Sequence, residues 1–89
     1  MKGDVFLRLD KYLKVSRLIK RRTIANEACD KGLVSVNGKA ARASYEVKEG
    51  DRISLKLGPR EVTVEVVSVQ DNVRQSEAGL LYKEIREES

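Results

Sequence analysis

Between residues 7 and 22 the chain reads LRLDKYLKVSRLIKRR, which sets Arg8, Lys11, Lys14, Arg17, Lys20, Arg21 and Arg22 against a single acid, Asp10. Leu9, Leu13, Val15, Leu18 and Ile19 are interleaved with them at helical spacing. A surface that is apolar on one side and this cationic on the other calls for a polyanion, because crowded like charges repel until phosphate neutralises them. The arginines suit bidentate phosphate contact and RNA grooves, whereas the lysines add charge with less geometry. Arg21 and Arg22 stand at the start of a second helical segment, where unpaired backbone N–H groups also favour an anion. Asp10 is expected to orient a neighbouring arginine or cap the helix that follows it, rather than to touch RNA.

Other chemistry is poorly provided for. The chain has no histidine, which removes the commonest general base and metal ligand. One cysteine and scattered acids argue against zinc, and Cys29 lies on an apolar helical stripe with nothing to activate it. The six glycines are too dispersed for a phosphate loop. The expectation is a binding protein, not an enzyme, with no cofactor, no metal and no small-molecule substrate. The aromatics are only Phe6, Tyr12, Tyr45 and Tyr82, and the strands expected below carry none of them at alternate positions. Recognition should therefore rest on phosphate and sugar contacts and on shape, not on a stacking sheet.

The elements that must position these residues follow from length, charge and period. Eighty-nine residues make one small domain with a thin core. No long apolar run exists for a membrane span, the opening residues lack a secretory apolar region, and a lone cysteine fits the reducing cytoplasm. Residues 1–45 hold eleven Lys/Arg and four Asp/Glu, and residues 46–89 hold seven and ten. This asymmetry implies one binding face. A first helix follows Asp10. A second runs from about Arg22 to Lys31, with Ile24, Ala25, Ala28 and Cys29 as its stripe and Gly32 at its C-terminal cap. Strand period begins at Leu33, and Asn37-Gly38 signals a tight hairpin. Residues 47–51 read as a turn. Ile53, Leu55 and Leu57 alternate along one strand, and residues 61–69 along a longer antiparallel neighbour. Residues 70–89 form an acidic tail in which 77–88 are expected to make a short helix with Leu80, Leu81 and Ile85 on one side. The fold class is thus α+β, two N-terminal helices packed on a small, mostly antiparallel twisted sheet, with a short C-terminal helix. Leu9, Leu13, Leu18, Ile24, Ala28, Leu33, Val36, Ile53, Leu55, Val64 and Val66 should supply most of the core.

Arg8-Leu9-Asp10-Lys11-Tyr12-Leu13, then Arg22, Ala25, Gly32-Leu33-Val34-Ser35-Val36-Asn37-Gly38 and Val47-Lys48-Glu49-Gly50-Asp51 together resemble the RNA-binding domain named after ribosomal protein S-four. The likeness covers residues 8–57. Arg21 departs from the family pattern, which usually has serine there. Within the family, LDKYLKVSRLIKRRT resembles the small free-standing RqcP (YabO) type of ribosome-associated quality control. That resemblance implies binding to an obstructed large ribosomal subunit through its rRNA and peptidyl-tRNA, beside an RqcH-like factor that adds alanine to the stalled chain. It also implies that Arg8, Arg17, Arg21 and Arg22 face RNA. The heat-shock protein fifteen type is the nearest alternative; its basic C-terminal extension contrasts with the IREES ending here. A generic structured-RNA module, an appendage of a larger enzyme and a protein-interaction adaptor are the other readings.

Overall fold

Alternating apolar and polar residues, interrupted by three turns that demand positive φ, build the sheet on which two short helices rest. The computed structural model describes residues 6–70 and 81–85. Its elements run β1 (Leu7–Arg8), α1 (Leu9–Val15), α2 (Arg22–Asp30), β2 (Val34–Val36), β3 (Lys39–Ala40), β4 (Glu46–Val47), β5 (Arg52–Leu57), β6 (Arg60–Val66) and β7 (Tyr82–Ile85). One sheet has the order β3-β2-β5-β6-β7; β1 and β4 form a separate two-stranded pair, and every pairing is antiparallel.

The α2 C-terminus closes as expected. The Leu33 N–H donates to the Ala28 carbonyl at 2.9 Å and the Gly32 N–H to Cys29 at 3.0 Å, with Gly32 at φ 75°, a Schellman cap. At the hairpin, Asn37 (φ 54°) and Gly38 (φ 87°) are both left-handed, the type I′ turn whose twist suits two flanking strands. Val36 then faces Lys39, and on the other side Val34, Ser35 and Val36 pair with Leu55, Ser54 and Ile53.

Leu9, Leu13, Ala28, Val36, Ile53, Leu55, Val64 and Val66 are buried as the pattern requires, and Leu18 and Leu33 pack partly against them. Tyr12, Val34, Val47, Ile19, Val69 and Leu81 add to the same cluster.

Three expectations are corrected. Ile24 is 50% exposed. Ala25, Ala28 and Cys29 centre the buried stripe of α2, and at about 100° per residue Ile24 falls at its edge. The strand expected over 61–69 runs from Arg60 to Val66. Val66 and Val67 are adjacent apolar residues that cannot share a face, so Val67 turns outward and Val69 returns to the core. The tail does not form a helix at 82–85: Tyr82–Ile85 is a strand against β6, with Val66 opposite Tyr82 and Thr63 opposite Ile85. Leu80 and the rest of the expected helix lie outside the described residues. The open edge of β6 offers a ladder of unpaired backbone groups, which outweighs the weak propensity of a short isolated helix. Tyr82 thereby becomes a strand aromatic, partly buried against the core.

Candidate nucleic-acid interface

The first turn of α1 supplies the centre of the site. Asp10 is 2% exposed, and β1 and α2 bring cations to it from both sides. Its Oδ1 accepts from Arg8 Nε at 3.3 Å and from the Lys11 backbone N–H at 2.8 Å. Its Oδ2 accepts from Arg22 Nε at 3.2 Å, Asn26 Nδ2 at 3.4 Å and Arg8 Nη2 at 3.5 Å. Asp10 thus bonds two arginines and one free helix N–H, but it sits inside the first turn and Arg8 takes the N-cap place.

Burial alone raises the Asp10 pKa, but the Arg22 and Asn26 hydrogen bonds and the charges of Arg22 and Arg8 outweigh it and hold the carboxyl below its ordinary 3.8. The folded value lies below the unfolded one, so this carboxylate stabilises the fold above pH 3.8, and the contribution fades as pH falls through the folded pKa. Asp10→Asn should therefore be less stable than the parent at neutral pH, with the gap closing in acid. Urea midpoints measured from pH 7 down to pH 2.5 would check this; a gap constant with pH would refute it.

Arg8 and Arg22 are pinned at one end only. Their side chains are 51% and 45% exposed, so guanidinium donors remain directed at solvent from a fixed root. Asn26 was not singled out in the sequence. It stands one turn after Arg22, and that i, i+4 relation is the signal that could have found it.

A second cationic group lies at the other end of α1. Lys14, Arg17 and Lys20 line a notch of about 180 Å³ with Val15. It exists because α1 stops at Val15: Arg17 takes φ 66°, its N–H donates to the Lys14 carbonyl at 3.1 Å, and the chain turns so that the Ile19 N–H reaches Leu13 at 3.0 Å. A non-glycine residue in this region costs about 1 kcal/mol. Arg17→Gly should accordingly leave thermal stability unchanged or raised by up to about 1 kcal/mol while weakening RNA binding, as calorimetry and filter binding would show. A stability loss would mean that the arginine side chain serves the fold instead.

The expected residues thus fall into an Arg8–Asp10–Arg22 clamp and a Lys14–Arg17–Lys20 notch. Lys11 is half-buried on α1, its backbone N–H bonded to Asp10, and Arg21 is exposed at the N-cap of α2. Tyr12 is fully buried, and its hydroxyl donates to the Leu81 carbonyl at 2.7 Å, so it is a core residue without an RNA face. Cys29 is buried, and desolvation together with the Asp10 and Asp30 charges pushes its thiol up to about 11, which keeps it protonated at neutral pH. No described helix is long and apolar enough to cross a membrane, and no cluster of metal-ligating side chains occurs among the described residues.

Comparison with known proteins places the chain in a family. The family model described as "S4 domain" matches residues 7–53, from β1 into β5. The "RQC P-site tRNA stabilizing factor" of Halalkalibacterium halodurans is 52% identical over 82 residues, 92% of this chain and 93% of that protein. "Heat shock protein 15" of Escherichia coli is 38% identical over 97% of this chain but 65% of its own length. The trimeric structure of Vibrio cholerae Heat Shock Protein 15 superposes with a TM-score of 0.85 at 35% identity, covering 91% of this chain and 83% of that one. With two helices on an antiparallel sheet, a buried aspartate gathering two arginines and a relative similar over nearly its whole length, the chain belongs to the S4 domain family of RNA-binding proteins and, within it, to the group of the RQC P-site tRNA stabilizing factors.

Proposed function

We propose that this protein is a non-catalytic RNA-binding factor of ribosome-associated quality control. It grips an obstructed large ribosomal subunit through rRNA and peptidyl-tRNA and supports alanine tailing by an RqcH-like factor in the cytoplasm. The observation that carries this reading is the pairing of the clamp and the notch at the two ends of α1, which gathers Arg8 and Arg22 into one cationic group and Lys14, Arg17 and Lys20 into another, each of the charge and size that suits a phosphate. Two modest sites at the two ends of one short helix can each be weak while their combination is selective for a composite of rRNA and tRNA. The likeness to an RQC P-site tRNA stabilizing factor over 92% of this chain supports the choice of partner. No cofactor enters this function.

Sedimentation with empty large subunits and with subunits bearing peptidyl-tRNA tests it. Preferential binding to the loaded subunits is expected, with reduced C-terminal alanine tails when the gene is deleted. Equal binding to both, with normal tailing, would leave a generic RNA module. With about five phosphate contacts, the logarithmic salt slope should be roughly −3.5 to −4.5, so affinity drops by two to three decades from about 50 to 200 mM salt. A salt-insensitive affinity would contradict a phosphate-led interface.

The second reading, a heat-shock protein fifteen type of subunit binder, is favoured by the structural superposition. It predicts binding to the same loaded subunits without any effect of gene deletion on alanine tailing.

A further inference from the structure

An open groove of about 640 Å³ lies between the β2–β3 hairpin and the segment that follows it, and it shares no lining residue with the Lys14–Arg17–Lys20 notch. Val36, Ala41 and Tyr45 make its apolar wall, and Lys39 and Arg42 are its exposed cations. No carboxylate is among its lining residues. The size falls within the range of small-ligand sites, roughly 300–1,000 Å³.

Two of its walls are anchored to one buried acid. Asp51 is 3% exposed. Its Oδ2 accepts from the Tyr45 hydroxyl at 3.0 Å and from the Lys48 N–H at 3.1 Å, and its Oδ1 accepts from Asn37 Nδ2 at 3.1 Å. The Asn37 side-chain oxygen in turn accepts from the Arg52 N–H at 3.0 Å. The tyrosine ring and the hairpin turn are thereby fixed before any ligand arrives, which lowers the entropy lost on binding.

The groove also borders the clamp. The Leu9 N–H donates to the Tyr45 carbonyl at 2.8 Å, the Asp10 N–H to Ala43 at 3.2 Å, and Arg8 pairs with Glu46 across β1 and β4. The segment that forms one wall is therefore the one that supports Arg8 and Asp10 from behind.

We propose that this groove takes one unstacked nucleotide of the RNA held by the helical face, its base against the Tyr45 ring and its flanking phosphates at Lys39 and Arg42. The inference rests on the RNA-binding reading above and adds a base-contacting subsite to it. A fixed aromatic ring beside small apolar side chains, with two cations and no acid at the edge, matches a splayed nucleotide better than an acidic peptide, which would leave the ring idle.

The test uses the full-length protein with a benzoyl-phenylalanine crosslinker in place of Ser44, which lines the groove and is exposed. The probes are large subunits bearing peptidyl-tRNA, and a hairpin RNA with one bulged nucleotide beside its fully paired counterpart. A crosslink to RNA with a discrete reverse-transcription stop at an unpaired nucleotide is expected, together with preference for the bulged hairpin. Tyr45→Leu should reduce affinity for it about 5- to 150-fold, the range of one base–aromatic stack. Tyr45→Phe, which loses the same Asp51 bond but keeps the ring, should stay within about threefold of the parent in that range. Arg42→Glu, at an exposed position, should also weaken binding if Tyr45→Leu fails to fold. Subunit binding with a crosslink only to protein, or with none, would overturn the groove and leave the proposed function standing. Bulge preference without subunit binding would do the reverse, and loss of both would overturn both.

Discussion

Arg22→Ala is expected to lower affinity for large subunits carrying peptidyl-tRNA by about 10- to 150-fold, the loss of one charge-assisted hydrogen bond of about 1.5–3 kcal/mol. The magnitude of the salt slope should fall by about 0.7–0.9 at the same time. Arg22 is 45% exposed and its Nε is held by Asp10, so its remaining donors are presented in a set direction. Lys56→Ala removes the same formal charge from an exposed position on β5, outside the helical face, and should change binding little. Asp10→Asn makes the comparison sharper. It raises the net charge by one unit from +4, and charge alone would then strengthen RNA binding. If the buried carboxylate works by fixing Arg8 and Arg22, binding weakens instead. Quantitative co-sedimentation of the three variants decides it: equal losses for Arg22→Ala and Lys56→Ala, or tighter binding by Asp10→Asn, would show that charge matters here and orientation does not.

Leu81→Ala should destabilise the protein by about 2–4 kcal/mol, which for a domain of this size lowers the thermal midpoint by roughly 10–30 °C. Leu81 is 1% exposed and stands just before the edge strand. Its carbonyl accepts from the Tyr12 hydroxyl at 2.7 Å, from the Val67 N–H at 2.8 Å and from the Ser68 N–H at 3.1 Å. One residue of the C-terminal segment thus joins the helix layer to the end of β6. Lys83→Ala, exposed on the same strand, should shift the midpoint little. Calorimetry on both variants distinguishes an integral strand from a dispensable tail, since a dispensable tail predicts negligible change for each.

Local signals were reliable where a single residue type satisfies a local need. Gly32 ends α2 and Asn37-Gly38 turns the hairpin because both positions demand positive φ, which glycine and asparagine tolerate. The alternation of Ile53 and Leu55 against Val64 and Val66 likewise reports a half-buried sheet, because a pleated strand presents every second side chain to the core. The cationic run was legible too, since no fold can hide seven Lys/Arg in sixteen residues.

The remainder depended on long-range partners. Glu77 to Glu88 carries a helical apolar spacing, yet Tyr82–Ile85 joins β6, because hydrogen bonds offered by an existing sheet edge exceed what a short helix supplies alone. Ile24 looked like core because the stripe of α2 has a width, and only the position of α1 decides where that stripe ends. Asp10 and Asp51 are both acids near turns in the sequence. Folding buries each and surrounds it with donors from residues up to sixteen positions away, Asn26 for the first and Asn37 for the second. Composition and period therefore determined that this chain has a cationic helical face on an antiparallel α+β fold and what sort of polymer that face meets. Which cations act together, which ring is fixed by a buried acid and where the tail docks were decided by tertiary structure, because each depends on buried polar groups finding partners across the chain, and a local pattern does not encode those partners.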